Sequence, residues 1–420
     1  MNVLLLGSGG REHALAMALA RSPLLTKLFI APGNPGTAQC GENVVLDIMS
    51  GTAVIDFCRV MDIGLVVVGP EAPLVAGLAD EVAAAGVKVF GPSKAAAQLE
   101  GSKAFTKMVC DKAAIPTARY KSFTDPAAAK AYVQIEGAPI VVKYDGLMAG
   151  KGVTVAETIA EALTAIDAIY ANESGAKIVV EECMVGEEAS FFCLVDGETV
   201  LPLASAQDHK RVYDGDKGPN TGGMGAYSPA PVMTPEMEAR ALEFIVQPTA
   251  TTMVRLGMPY RGVLFCGLMI TEEGPKLIEY NCRFGDPECQ VLMLRLKNDL
   301  LKLLLATVEG QLEDQSVSWK DETALTVVMA ANGYPGDYVK GSEIKNIEMA
   351  GRLPGVTIFH AGTKTEGDRL LSVGGRVLGV SAIASDARDA RAKAYAAVDA
   401  IDWPSGFCRR DIAMRALQRD

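Results

Sequence analysis

The chain has 420 residues, 49% hydrophobic and 22% charged, which excludes a disordered protein and predicts about three domains. A net charge of −11 excludes a general binder of nucleic acid or acidic membrane, which would need a basic face. Nine cysteines with no C-x-x-C pair exclude a disulfide framework or zinc site, and no apolar run reaches signal-peptide or membrane-spanning length, so a soluble cytoplasmic protein with reduced thiols is expected.

The first hundred residues alternate short apolar runs (3–6, 28–30, 65–68 and 88–90) with alanine-rich helical segments (12–20, 53–61 and 74–85). Strands separated by helices predict a parallel sheet covered on both faces, with ligands at the carboxyl ends of the strands: GSGGREH, APGNPG and VVGPEAP. In the first of these, Gly9 and Gly10 open a helix and offer backbone N–H groups to an anion, with Arg11 beside them. The dinucleotide fingerprint fails there. Glu12 occupies its sixth position, and the second strand runs into Ala31-Pro32 with no acid. A single phosphate fits better, against the alternative of a tight turn with no ligand.

A helical linker, GSKAFTKMVCDKAAIP, leads into residues 120–187, read as strand, helix, glycine-rich hairpin, helix and strand, a unit small enough to be a mobile lid. The hairpin KYDGLMAGKGV is not a P-loop: three residues separate Gly146 from Gly150, and Gly152 stands where the Mg²⁺-binding hydroxyl belongs. Strands also flank it on both sides.

Antiparallel strands are expected over 189–194, 199–203, 262–270 and 276–280, with a helix over 235–256 and one long loop over 215–231. That loop follows Asp208, His209, Lys210 and Arg211, a cluster able to bind carboxylate or phosphate or to form a solvated turn. In the strand KLIEYNCR, period two places Glu279, Asn281 and Arg283 on one face, where a carboxylate and an amide oxygen suit Mg²⁺; a solvated edge-strand face is the alternative. Beyond residue 323 a strand–loop–strand pattern closes with a helix over 387–400. None of the three histidines stands in a nucleophilic triad.

Jointly, GSGGREHAL, GPEAPL, GSKAFTK, GLMAGKGV, GEEASFF, DHKR, PNTGGMGAYSPAP, RFGDPECQ and FHAGT resemble the ATP-grasp ligases, and within them the phosphoribosylamine–glycine ligase family. The resemblance spans nearly the whole chain. It implies an α/β ATP-grasp fold: a parallel α/β substrate domain (1–100), a linker helix (101–119), a lid (120–187), a central catalytic domain (188–323) and a small α+β C-terminal domain (324–420). It implies ATP-dependent joining of glycine to 5-phosphoribosylamine through glycyl phosphate, giving glycinamide ribonucleotide, ADP and phosphate in purine biosynthesis. A monomer with small-molecule partners only is expected.

Residue by residue, the resemblance assigns Lys103 and Lys143 to ATP phosphates, with Gly150, Lys151 and Gly152 of the hairpin and Lys107 a further candidate. Glu181 and the backbone of Glu182 and Met184 would meet adenine, and Glu188 the ribose. Glu279 and Asn281 would bind Mg²⁺ or Mn²⁺. Arg283, with Lys210 or Arg211, would face the transferring phosphoryl group. Gly9, Gly10, Arg11 and Glu71 would receive the phosphoribosyl moiety, and Asp208 and Asp286 would handle glycine. Tyr144 and Met148 depart from the family's usual hairpin, K-A-D-G-L-A-A-G-K-G-V.

Overall fold

In the computed structural model, which describes residues 1–147 and 152–419, the three central N-terminal strands are apolar runs buried on both faces, as a parallel sheet requires, and two short strands flank them. Their order is Glu42–Asn43, Lys27–Pro32, Asn2–Gly7, Ile63–Val68 and Lys88–Phe90, all parallel. The order reverses between Asn2–Gly7 and Ile63–Val68, so the turns after these two strands flank the crevice where such sheets take ligands. The helix expected over 74–85 is two, Glu71–Ala76 and Leu78–Ala84. Gly77 between them takes a φ of +108°, a left-handed conformation that ends the first.

The linker helix Lys103–Ala113 is capped by the Ser102 hydroxyl, which accepts from the Phe105 N–H. It leads to a four-stranded antiparallel sheet ordered Tyr120–Phe123, Ile178–Glu182, Ile140–Tyr144 and Val153–Ala156. Helices Pro126–Glu136 and Ile159–Asn172 cover it, burying Val133, Val142, Ile166 and Ile178. The start of the hairpin, at Asp145, docks on the linker. Asp145 accepts from the Ser102 hydroxyl at 3.1 Å and from the Ala104 N–H at 3.2 Å, a carboxylate at a helix N-terminus. The Tyr144 hydroxyl donates to Glu173 at 2.6 Å, so that unusual residue ties the hairpin to the end of a covering helix.

The rest is built on a nine-stranded sheet running Gly274–Asn281, Arg261–Thr271, Glu187–Asp196, Thr199–Asp208, Gly225–Ser228, Thr323–Ala331, Arg376–Ala384 and Val356–His360, with Gly406–Phe407 pairing Thr323–Ala331. Residues 215–231 are therefore not one loop. Arg211–Tyr213 pairs with Lys217–Asn220 in a hairpin, and Gly225–Ser228 is a buried strand that carries the sheet across the domain boundary expected at residue 323. Glycines and prolines mask its alternation, and its neighbours supply the stability its own residues lack. The helix expected over 235–256 is interrupted by a π turn, Leu242–Val246, next to Pro248, whose missing N–H cannot close the regular ladder.

Helix Ala387–Ala400 covers the C-terminal strands. This region meets the first domain where His13 Nδ1 accepts the His360 N–H at 2.9 Å. Asn34 Nδ2 donates to the carbonyls of Ser8 and His360 at 2.8 and 2.9 Å. Among the described residues no helix is long and apolar enough to cross a membrane.

Candidate active site

A cleft of about 370 Å³ opens between the first sheet, the small sheet and the large one. The edge strand Gly274–Asn281 forms one wall, with Glu279 and Asn281 both on the cleft. Where the chain leaves that strand, Arg283 is held on several sides. Its Nη2 donates to Asn281 Oδ1 at 2.9 Å and pairs with Glu100 at 3.1 Å, and its Nε faces Glu71 at 3.4 Å without forming a good hydrogen bond. Burial alone would lower its pKa, but Glu100 and Glu71 outweigh it and hold the guanidinium above its usual range. Glu71 in turn is lowered: burial would raise it, and Arg283 and Arg11 overcome that.

The small sheet contributes Lys143, whose Nζ lies 2.8 Å from Glu181, while Lys107 from the linker helix reaches the other oxygen of Glu181 at 3.3 Å. All three are buried. Lys107 also donates to Thr117 at 2.8 Å, so it is built into the linker junction. Lys103 reaches over the hairpin instead, donating to the Gly146 carbonyl at 3.1 Å. Gly152 lines the cleft; Gly150, Lys151 and Met148 lie outside the described residues.

On the far wall Asp208 ends the strand Thr199–Asp208, longer than expected, and pairs with Lys210 at 2.9 Å. Burial would lower Lys210, but Asp208, Glu188, Glu288 and Glu279 raise it well beyond its usual value. Glu288, first residue of the helix Glu288–Arg295, accepts from Ser190 at 3.1 Å, and burial with Asp208 nearby pushes its carboxyl up to about 7 against the pull of Lys210. Asp286 is held by Gln290 at 2.9 Å and by Arg376 at 3.3 Å. Its pKa is lowered, because Arg376 and Arg11 outweigh the burial that would raise it.

The first turn differs from its expectation. Glu12 folds its own carboxylate back over the turn, accepting the Gly9 N–H at 2.6 Å and pairing with Arg11 at 2.6 Å. Gly69 leaves room for it, since a Cβ there would lie 2.2 Å from Glu12 Oε1. The protein thus supplies its own anion to the Gly9 N–H, and neither Gly9 nor Gly10 lines the cleft. Arg11 and Glu71 do.

Other expected residues also lie off the main cleft. Arg211 starts a strand that turns it away from Lys210: it donates to the Gly218 carbonyl at 2.7 Å and borders a separate hollow with residues 153–155. Glu182 turns its carboxylate outward to Arg119 at 2.7 Å, and its N–H donates to the Arg119 carbonyl at 2.9 Å. Met184 is not on the cleft wall, and Glu188 sits in a small adjoining pocket with Lys210 and Glu279. Glu100, Glu288 and Arg376 are cleft residues that sequence reasoning did not single out. RFGDPE contained Glu288, but nothing in the linear sequence aims the other two here.

A lysine-bearing hairpin on a small antiparallel sheet, facing an acid, amide and arginine across one cleft, defines an enzyme of the ATP-grasp class. The N, ATP-grasp (A) and C domains of phosphoribosylglycinamide synthetase match residues 1–100, 101–289 and 324–415. The phosphoribosylamine–glycine ligase of Mesorhizobium japonicum is 63% identical over 100% of this chain and 99% of its own, and that of Escherichia coli K12 is 51% identical over 100% of both. The crystal structure of the Thermotoga maritima phosphoribosylamine–glycine ligase superposes with a TM-score of 0.84 at 31% identity, covering 98% of this chain and 100% of that one. The biotin carboxylase domain of Hydrogenobacter thermophilus 2-oxoglutarate carboxylase, solved with MgADP, shares the fold alone, with a TM-score of 0.72 at 16% identity over 97% of this chain and 91% of that one. The chain belongs to the phosphoribosylglycinamide synthetase family.

Proposed function

We propose that this cleft is where the chain joins glycine to 5-phosphoribosylamine, using ATP and releasing glycinamide ribonucleotide, ADP and phosphate, a step of purine biosynthesis. A glycine carboxylate oxygen attacks the γ-phosphorus, and the bond to the β-phosphate oxygen breaks. The amine nitrogen then attacks the carbonyl carbon of glycyl phosphate, phosphate leaves, and the amine loses a proton. Both steps need positioning and charge neutralisation rather than a covalent nucleophile, which fits a cleft with no nucleophilic triad among the described residues.

The observation that carries this reading is that Lys103, Lys143, Lys210 and Arg283 converge on the same cleft as Glu279 and Asn281. In the reading, Lys103, Lys143 and the hairpin through Gly152 hold the ATP phosphates. Glu181 orients Lys143 at the adenine end, and Glu188 reaches the ribose. Lys210 and Arg283 face the transferring group. Asp208 and Asp286 take the glycine ammonium. Arg11 and Glu71 receive the phosphoribosyl part.

One carboxylate and one amide oxygen two residues apart form a hard-oxygen pair that suits Mg²⁺, which keeps water and phosphate in its other positions. Among the described residues no cluster of three or more histidine, cysteine or acidic side chains would supply a fuller cage. When bound there, the ion neutralises phosphate charge. The small sheet closes over the phosphates to keep water from the acyl phosphate. A cytoplasmic location fits the absence of disulfides among the described cysteines. Phosphate release from ATP, measured with glycine and phosphoribosylamine omitted in turn, tests the reading: release should require glycine, and product should require both.

A further inference from the structure

Arg376 belongs to the C-terminal part of the chain, yet its side chain lines the cleft. It begins the strand Arg376–Ala384, and the register with Thr323–Ala331 shifts at Met329/Ala330, where Arg376 pairs with Ala330. An irregularity of this kind bends a strand and re-aims the side chain at it. The backbone there is fixed, since the Arg376 carbonyl accepts from Gly362 N–H at 3.1 Å.

The guanidinium gathers two separate segments. Nη1 donates to the carbonyls of Gly222 (2.6 Å), Gly223 (3.3 Å) and Asp286 (2.6 Å), and Nη2 pairs with the Asp286 carboxylate at 3.3 Å. Gly222 permits the approach, since a Cβ there would lie 2.9 Å from Arg376 Cζ. Tyr334, also C-terminal, approaches the same turn, its hydroxyl accepting the Gly222 N–H at 3.3 Å. Gln290 holds the other oxygen of Asp286 at 2.9 Å. A planar fork of donors is suited to span carbonyls and a carboxylate in this way, and a lysine is not.

We propose that Arg376 is a positioning residue for the glycine subsite, fixing Asp286 against the 221–223 turn so that its carboxylate meets the substrate ammonium. This rests on the reading of Asp286 as a glycine-handling group. A C-terminal side chain then sets the geometry of a subsite built by the central domain.

The test uses the full chain with Arg376→Gln and Arg376→Lys. Steady-state product formation is measured with each substrate varied, together with hydrogen exchange of residues 221–224 in the free enzyme. Loss of a charge-assisted contact predicts a glycine KM raised about tenfold to a hundredfold in Arg376→Gln, an ATP KM within about twofold of wild type, and faster exchange in the turn. Arg376→Lys should fall between, keeping the ion pair but losing the fork. Wild-type glycine KM with unchanged exchange in Arg376→Gln would overturn the proposal. A parallel rise in the KM of all three substrates would also overturn it, because that is what general structural support produces. A wild-type enzyme that releases no phosphate with glycine would instead sink the functional reading and the substrate named here, while the exchange measurement would still decide whether Arg376 holds the turn.

Discussion

Arg283 Nη2 donates to Asn281 Oδ1 at 2.9 Å, so the cation proposed to face the phosphoryl group also orients the amide proposed to bind the metal. One lone pair of the amide oxygen remains for an ion. Arg283→Lys keeps the charge but breaks the fork that also reaches Glu100 and Glu71, and should lower kcat by about a hundredfold, the scale of removing one transition-state donor. Glu279→Gln and Asn281→Ala should lose turnover with the fold intact, and excess Mg²⁺ should restore part of it. Steady-state rates across a Mg²⁺ titration, with circular dichroism as a check on folding, report this.

Lys107 and Lys143 share the carboxylate of Glu181, yet they should behave differently. Removing one partner of a buried ion pair costs about 3–5 kcal/mol, and Lys107→Met should approach the lower end because Lys143 still pairs Glu181. Its effect on ATP affinity should be small. Lys143→Met should instead weaken a non-hydrolysable ATP analogue strongly. Urea denaturation and calorimetric titration separate the two.

Much of this was legible in the chain and some was not. The alternation of strand and helix in the first hundred residues was enough for a parallel sheet, and period two placed Glu279, Asn281 and Arg283 together. Nothing in the cluster from Asp208 to Arg211 shows that a new strand begins at Arg211, just after Lys210, and takes it off the cleft. The strand Gly225–Ser228 could not be read because its residues do not favour a strand by themselves; its partners at 199–208 and 323–331 make it one. Glu12 breaks the dinucleotide fingerprint in the sequence itself, but its return onto the Gly9 N–H needs Gly7, Gly69 and Arg11 in three dimensions. Arg376 reaches Asp286 across 90 positions, a pairing no local pattern encodes.

Arg11 pairs with Glu12 at 2.6 Å and donates to the Phe284 carbonyl at 3.1 Å, so Arg11→Ala should have two effects. Phosphoribosylamine and the product should bind about tenfold to a hundredfold more weakly. Stability should also fall, because the buried Glu12 loses its cation. Affinity for ATP should stay nearly unchanged. Product titration by calorimetry alongside thermal unfolding checks both effects, and selective loss of ATP would move the nucleotide into the first domain.

His13 and His360 are buried at the seam between the first and last parts of the chain, and burial lowers them from 6.5 to about 3 and about 4. Below pH 6.5 the unfolded chain binds protons that the folded one refuses, so stability is full above that pH and falls as pH drops towards the folded values. The loss should be on the order of 2 kcal/mol per histidine at pH 5. His13→Gln, whose amide oxygen can still accept the His360 N–H, should flatten the slope between pH 7 and 5. Urea midpoints across that range measure it.

The path of one oxygen atom tests the mechanism most directly. If glycine is activated by phosphorylation in this cleft, an oxygen of its carboxylate leaves with the phosphate. Turnover of glycine labelled with ¹⁸O in the carboxylate, with ATP and phosphoribosylamine, followed by mass spectrometry of the released phosphate, should find one ¹⁸O in each phosphate formed. Phosphate carrying no ¹⁸O, from an enzyme that still makes glycinamide ribonucleotide, would contradict it.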